Sequence, residues 1–287
     1  MKKRQRRNCG CSRDSSWLGR GAMRSAGQDG RHDMHILLVN DDGFDSRLLH
    51  ILCRAAAERG HRVTVCAPNS QQSAKSHAFT LATPLKVVKD RMEGAQDAWR
   101  IEGTPVDACR VGLLGVCEEK PDLVISGINA GYNVGLATYV SGTVGAAREA
   151  AFQGYPALAV SLEPRTPEET IRFFADYAVR LGEKLVHYDA PHQSVCNVNA
   201  PPVPVADIQG VTVCPITCHV YKDGYERVVS PRGETYFWLS NEIEDMCPAE
   251  NTDLDYLHRG YITVTFLAPE GCRQEDYADF PLKIREP

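Results

Sequence analysis

The chain has 287 residues, 43% hydrophobic and 24% charged, proportions that exclude wholesale disorder, a collagen-like fibre and a small disulfide scaffold. Mean hydropathy is −0.31 and no stretch approaches the ~20 apolar residues of a membrane helix, so neither an integral membrane protein nor a membrane partner is expected. The net charge of −5 is unevenly spread: residues 1–33 hold nine Lys/Arg and three Asp/Glu, which leaves −11 on the remainder and argues against nucleic acid as a partner.

Residues 1–33 open on a basic run, MKKRQRR, and continue rich in Gly, Ser, Arg and Asp with no periodic apolar pattern. No apolar stretch follows the basic residues, so a secretory signal is not expected. This segment reads as a disordered basic tail or as a start codon assigned too far upstream. Residues 34–200 read as the catalytic core and 201–287 as a β-rich extension used in oligomerisation.

The apolar run 34–39 suits a strand buried on both faces of a parallel sheet. Residues 48–59 place Leu48, Leu49, Leu52, Ala55 and Ala56 on one helical face, and Gly60 closes that helix. The run 62–67 is the next strand, stopped by Pro68. These three elements make a βαβ unit, the seed of a doubly wound α/β fold. Short strands follow at 85–88 and 99–101, then a helix over 105–116 with proline in its first turn. A buried strand at 123–126 leads into a glycine-rich loop over 127–142. A helix over 143–152, a strand at 157–161, a helix from 167 to about 187 and a strand at 195–198 complete the alternation.

After Ala200 the prolines 201, 202 and 204 break the rhythm, and strand-like runs take over at 211–213, 236–239 and 261–266. Long hairpins of this kind pack on a partner subunit, because an isolated hairpin is only marginally stable. The eleven cysteines are scattered without a CxxC pair. The nearest spacings, Cys9 with Cys11 and Cys214 with Cys218, do not make the two ligand pairs of structural zinc. Buried free thiols in a reducing cytoplasm are the expectation.

In open α/β sheets the ligand sits beyond the carboxyl ends of the strands. Three polar loops fall there: Asn40-Asp41-Asp42-Gly43, the stretch 68–73, and the stretch 127–133. Adjacent Asp41 and Asp42 on a buried edge repel and lose hydration unless a cation neutralises them. With the Ser73 hydroxyl and the Asn129 amide oxygen they form an oxygen set for a hard divalent ion. Asp-Asp-Gly is equally ordinary turn chemistry. Ser141, Gly142 and Thr143 open a helix, where exposed backbone amides at the positive end of the dipole offer a phosphate cradle. The same small residues serve tight helix packing. Neither GxGxxG nor GxxxxGK[ST] is present, so a dinucleotide fingerprint and a P-loop are unsupported. A divalent cation beside a phosphate cradle suggests phosphate-ester hydrolysis.

The blocks 34–43 (MHILLVNDDG), 67–76 (APNSQQSAKS), 103–108 (GTPVDA), 121–135 (PDLVISGINAGYNVG), 139–162 (YVSGTVGAAREAAFQGYPALAVSL), 231–239 (PRGETYFWL) and 251–267 (NTDLDYLHRGYITVTFL) resemble, in colinear order, the SurE family of stationary-phase survival proteins. The resemblance covers about residues 34–267. It implies a Rossmann-like three-layer α/β core with a mostly parallel sheet, an extended β-hairpin and a swapped C-terminal segment. It further implies a cytoplasmic, metal-dependent 5′/3′-nucleotidase that acts on nucleoside monophosphates, with exopolyphosphate cleaved by some members, assembled as a homodimer or homotetramer. One divalent cation per subunit, magnesium or manganese, would be held by Asp41, Asp42, Ser73 and Asn129, the two aspartates also being catalytic. Phosphate contacts would fall to Asn133, Ser141, Gly142 and Thr143. Two stretches depart from the pattern. Phe44 to Leu48 replace a segment ending Ala-Pro-Gly, and Leu136-Ala137-Thr138 replace acidic residues. If those changes have removed turnover, a nucleotide- or phosphate-binding protein of the same fold remains.

A haloacid-dehalogenase-type phosphatase would need an aspartate nucleophile where Asn40 stands, and an amide cannot form the acyl-phosphate. A receiver-like signalling domain would need a phosphoacceptor aspartate at the third strand's end, and Ser126-Gly127-Ile128-Asn129 offers none. His77, close to Ser73, reads as a proton shuttle or as an ordinary surface loop histidine. His219 and His258 are weaker candidates of the same kind.

Overall fold

The computed structural model describes residues 33–188, 193–218, 223–241 and 248–268. The tail 1–32, His219 and the chain beyond 268, where a swapped segment is expected, lie outside them.

β1 (His35–Val39) is buried along its whole length because both of its faces are covered. Its side chains alternate with the pleat. Ile36 and Leu38 enter one core with Leu49 and Leu52 of α1 (Arg47–Glu58) and Phe174 and Ala178 of α5 (Glu168–Leu185). Leu37 and Val39 enter the other, with Ala108 of α2 (Pro105–Val111) and Val144, Ala147 and Ala150 of α4 (Gly142–Phe152). Each such leucine or isoleucine contributes roughly 1.5–3 kcal/mol by leaving water. The result is the expected three-layer α/β/α core.

The sheet has nine strands in the order β3-β4-β2-β1-β5-β6-β7-β11-β8. β1 pairs in parallel with β2 (Arg62–Pro68) and β5 (Leu123–Ala130). β2 pairs in parallel with β4 (Asp97–Glu102), and β5, β6 (Ala157–Leu162) and β7 (Val195–Ala200) continue the parallel run. β3 (Lys86–Asp90) is antiparallel to β4 and caps that edge. The order reverses at β1, between β2 and β5, and this switch point opens a crevice at the strands' carboxyl ends.

The chain after residue 200 is β-rich and carries a hairpin, as expected, but two of its strands join the central sheet. β11 (Tyr261–Leu267) pairs antiparallel with β7, and β8 (Gly210–Val213) pairs in parallel with β11, so both belong to the central sheet. Their apolar residues complete the core, as Ile262 and Val264 show by their burial. β9 (Asp223–Val229) and β10 (Thr235–Asn241) form the hairpin, a second two-stranded sheet. α6 (Asp253–His258) was not anticipated; it is short and takes its place through buried Asp253 and Leu257. The helix expected over 105–116 ends at Val111 and passes into a π-helical turn at Gly112–Val116. Gly112 lies against the Leu37 side chain, where a Cβ would come within 2.8 Å.

β5 also outruns its expected end at Ser126. It bulges at Gly127 and resumes, with Asn129 and Ala130 paired to Ser161 and Leu162. Gly127 has φ +136°, and a side chain there would meet the Val160 carbonyl at 2.3 Å. Glycine is required at this bulge, and the bulge is what delivers Asn129 to the crevice. The rest of the expected loop holds one helical turn, α3 (Ala137–Val140). Among the described residues no helix is long and apolar enough to cross a membrane.

Candidate active site

The turn after β1 is held from within and from β2. Buried Asn40 donates its side-chain amide to Gly43 O at 2.9 Å. Gly43 has φ +99°, and its missing side chain admits the backbone of Ser70. Gln72 N donates to Asp41 O at 2.7 Å and Phe44 N to Pro68 O at 2.8 Å. The segment that departs from the family pattern is locked as well. Arg100 lies over the buried Phe44 ring at 4.2 Å and pairs with Asp45 and Asp90.

Asp41 is 3% exposed. Both carboxylate oxygens accept from one residue of α4: Thr143 Oγ1 donates to Oδ1 at 2.5 Å and Thr143 N to Oδ2 at 3.1 Å. Gly142 packs against the same carboxylate, where a Cβ would come within 3.0 Å of Oδ2. Asp42 accepts from Ala130 N at 3.0 Å through Oδ2. Asn129 donates its side-chain amide to Gly131 O at 2.7 Å, which leaves its amide oxygen to face other partners. Ser73, exposed, adjoins Gln72, whose amide reaches Asp41. The structure therefore gathers Asp41, Asp42 and Asn129 at the ends of β1 and β5, with the Ser73 loop tied to the same turn.

Burial pushes the Asp41 carboxyl up to about 6, the Thr143 bonds pulling downward and the Asp42 charge adding to the rise. Burial also raises Asp42. Neither carboxylate has a Lys, Arg or His partner among the described residues. Two adjacent carboxylates in this state lack a compensating cation. No three His, Cys, Asp or Glu side chains converge among the described residues. Two carboxylates, with the Asn129 amide oxygen beside them and the Ser73 hydroxyl on the neighbouring loop, have the chemistry that suits a hard, oxygen-preferring divalent ion. The residues present fit such an ion.

The helix terminus is more committed than its sequence suggests. Ser141 Oγ caps α4 by accepting from Val144 N at 3.1 Å. Thr143 N is given to Asp41, and neither bond claims the Gly142 amide. Thr143 thus serves the carboxylate, while Ser141 and Gly142 lie at the positive end of the helix dipole. Asn133 is buried in a polar floor: its side-chain amide donates to Ser161 Oγ at 2.8 Å, and its backbone oxygen accepts from Asn197 and Asn199.

His77 is neither a free loop histidine nor aimed at Asp41. Its Nε2 lies 2.9 Å from Glu149 Oε2, and its ring stacks on Phe152 at 5.5 Å. Glu149 also accepts from Arg110 Nη1 at 2.5 Å. His258 is exposed at the end of α6. Sequence reasoning missed Glu149, Arg110 and Asp107, which fix the serine loop from distant elements. The one local signal was the pattern Thr104-Pro105-Val106-Asp107, a capping box that the structure forms.

Fold and site together define a Rossmann-like α/β protein with an acidic, oxygen-rich crevice beside a helix N-terminus. The family model for "Survival protein SurE" matches residues 36–223. A protein of Nitratidesulfovibrio vulgaris named 5′-nucleotidase SurE is 45% identical over 232 residues, 81% of this chain and 92% of that protein. One of the same name from Gloeobacter violaceus is 38% identical over 234 residues, 81% and 89% of the two chains. The crystal structure of SurE protein from Aquifex aeolicus superposes with a TM-score of 0.73 at 31% identity, covering 86% of this chain and 98% of that one. The chain belongs to the SurE family.

Proposed function

We propose that the protein is a nucleotidase: a metal-dependent phosphomonoesterase that hydrolyses nucleoside 5′- and 3′-monophosphates to nucleoside and phosphate, with exopolyphosphate as a further substrate. The names of the relatives support the nucleotidase reading. The single observation that carries the metal-dependent site is the Thr143–Asp41 pair, which joins a cation-seeking carboxylate to an anion-binding helix end.

Asp41, Asp42, Ser73 and Asn129 would hold one divalent cation, magnesium or manganese. When bound, such a cation polarises a phosphoryl oxygen and lowers the pKa of a water. Asp41 is kept in one orientation by Thr143, and Asp42 by Ala130 N. Ser141 and Gly142 would receive phosphoryl oxygens at the positive end of α4, over the floor that Asn133 braces. The buried position of Asp41 excludes water from its coordinating edge, which strengthens its hold on charge.

The hairpin supports a homodimer or homotetramer. Trp238 is 68% and Phe237 62% exposed, beside exposed Tyr225 and Leu239, an apolar surface that a second copy would cover. The unpaired cysteines Cys53, Cys66, Cys109 and Cys196 are buried and support placement in the reducing cytoplasm.

The test is phosphate release from a panel of nucleoside 5′- and 3′-monophosphates and polyphosphate, with EDTA, magnesium or manganese. Release that EDTA stops and added metal restores is expected. Tight nucleotide binding without release under any metal would replace this reading with that of a binding protein.

A further inference from the structure

The loop that carries Ser73 is exposed along its tip, and Ala74 and Ser76 take left-handed backbone angles of φ 58° and 53°. Non-glycine residues hold that conformation only where surrounding contacts over-determine it. The contacts come from two helices. Ser76 donates N–H to Val140 O at 2.9 Å and its hydroxyl to Tyr139 O at 2.6 Å. Gly145 of α4 touches the same residue, and a Cβ there would fall 2.1 Å from Ser76 O.

One residue on, His77 meets Glu149, whose side chain is only 5% exposed. Glu149 is in turn gripped by Arg110 of α2 at 2.5 Å and by Gln153 at 3.0 Å. The Arg110 guanidinium returns to the loop, lying 4.8 Å over the Phe79 ring. Thr80 closes the segment by donating N–H and hydroxyl to Asp107, each at 2.8 Å. Upstream, Gln72 is bonded to Asp41 O. Ser73 therefore sits between one flank fixed to the Asp41 turn and another fixed to α4 and α2.

We infer that the Arg110–Glu149–His77 chain is a positioning device that holds Ser73 in reach of Asp41 and couples the serine loop to the helix bearing Ser141–Thr143. This rests on the proposed metal site. His77 bonds to Glu149 and stacks on Phe152, so it acts through the loop backbone. Without it the strained turn at 74–76 keeps Ser76 as its near anchor, and the Ser73 hydroxyl wanders from the carboxylates.

The test compares wild-type protein, His77→Ala and His77→Gln. Manganese affinity is measured by calorimetry without substrate, hydrogen exchange in peptides covering 70–80, and turnover as a function of manganese. In His77→Ala, manganese should bind about tenfold more weakly, the size typical of a lost outer-shell support. Exchange over 73–77 should rise, and turnover should return at saturating manganese. His77→Gln, whose amide can still donate to Glu149, should recover most of the affinity. If His77→Ala does not fold, Phe152→Leu, which removes the stacking ring alone, takes its place. Wild-type affinity and wild-type exchange in the substituted protein would overturn the inference. Absence of manganese binding by the wild type would instead overturn the metal site, and this inference with it.

Discussion

Thr143 gives both its backbone amide and its hydroxyl to the Asp41 carboxylate, at 3.1 and 2.5 Å. The two residues are 102 positions apart, one at the end of β1 and the other in the first turn of α4. The pair orients a buried carboxylate and sets its charge against the positive end of a helix. It also means that the first turn of α4 is partly consumed in building the acidic side of the crevice.

Replacing Thr143 with valine removes one donor and leaves a buried carboxylate oxygen unsatisfied. The expected stability cost is about 1–3 kcal/mol. The Thr143 hydroxyl bond lowers the Asp41 pKa, so its loss raises it, and the acid limb of the rate profile should move to higher pH. Thr143→Ser should behave close to wild type. Thermal unfolding and a pH–rate series check both effects.

Gly145→Ala would place a methyl group 2.1 Å from Ser76 O. The obstacle is backbone, so α4 and the serine loop must part. A loss of about 1–3 kcal/mol is expected from overpacking of this kind, with turnover falling more than stability. Urea unfolding beside initial rates would show it. Unchanged turnover would mean that the loop position is immaterial to the reaction.

Glu149 is held down to about 2, first by the His77 hydrogen bond, then against burial by Gln153 and Arg110. A depressed carboxylate adds stability above its ordinary pKa of 4.5, and that stability disappears as pH falls through the folded value. Glu149→Gln should therefore flatten the stability decline between about pH 4.5 and 2. It should also cost on the order of 2 kcal/mol at pH 7, less than the full shift because His77 and Arg110 are partly in water. Chemical denaturation across pH 2–7 reads out both.

The hairpin surface yields a prediction on assembly. Trp238→Asp puts a charge on the most exposed aromatic of β10. Sedimentation should show a smaller species than wild type, with the monomer's secondary structure unchanged. A wild-type protein that sediments as a monomer at every concentration would refute the oligomer.

The parallel core was legible because β1, β2, β5, β6 and β7 are short apolar runs between turn residues, and both faces of each are buried. The nearness of Asp41, Asp42 and Asn129 was legible because strand ends of one sheet must face one crevice. The membership of β8 and β11 in that sheet was not. Their runs carry no mark of which strand they pair with, and β11 inserts antiparallel beside β7 only after the chain has left the core. The extension of β5 past Ser126 was hidden by its glycine, which reads as loop yet is demanded by the Val160 carbonyl. Thr143 was legible as a helix-start residue, but its aim at Asp41 depends on how α4 packs. The partner of His77 lies 72 positions away, beyond any local spacing rule.

The central claim is that Asp41 is part of a metal-dependent phosphatase centre. Its most direct test is phosphate release from 5′-AMP by wild type and Asp41→Asn, each freed of metal with EDTA and then titrated with manganese, with folding checked by circular dichroism. The account predicts manganese-restored release by the wild type and none by the folded variant. Near-wild-type turnover by Asp41→Asn, or wild-type turnover that EDTA does not touch, would contradict it.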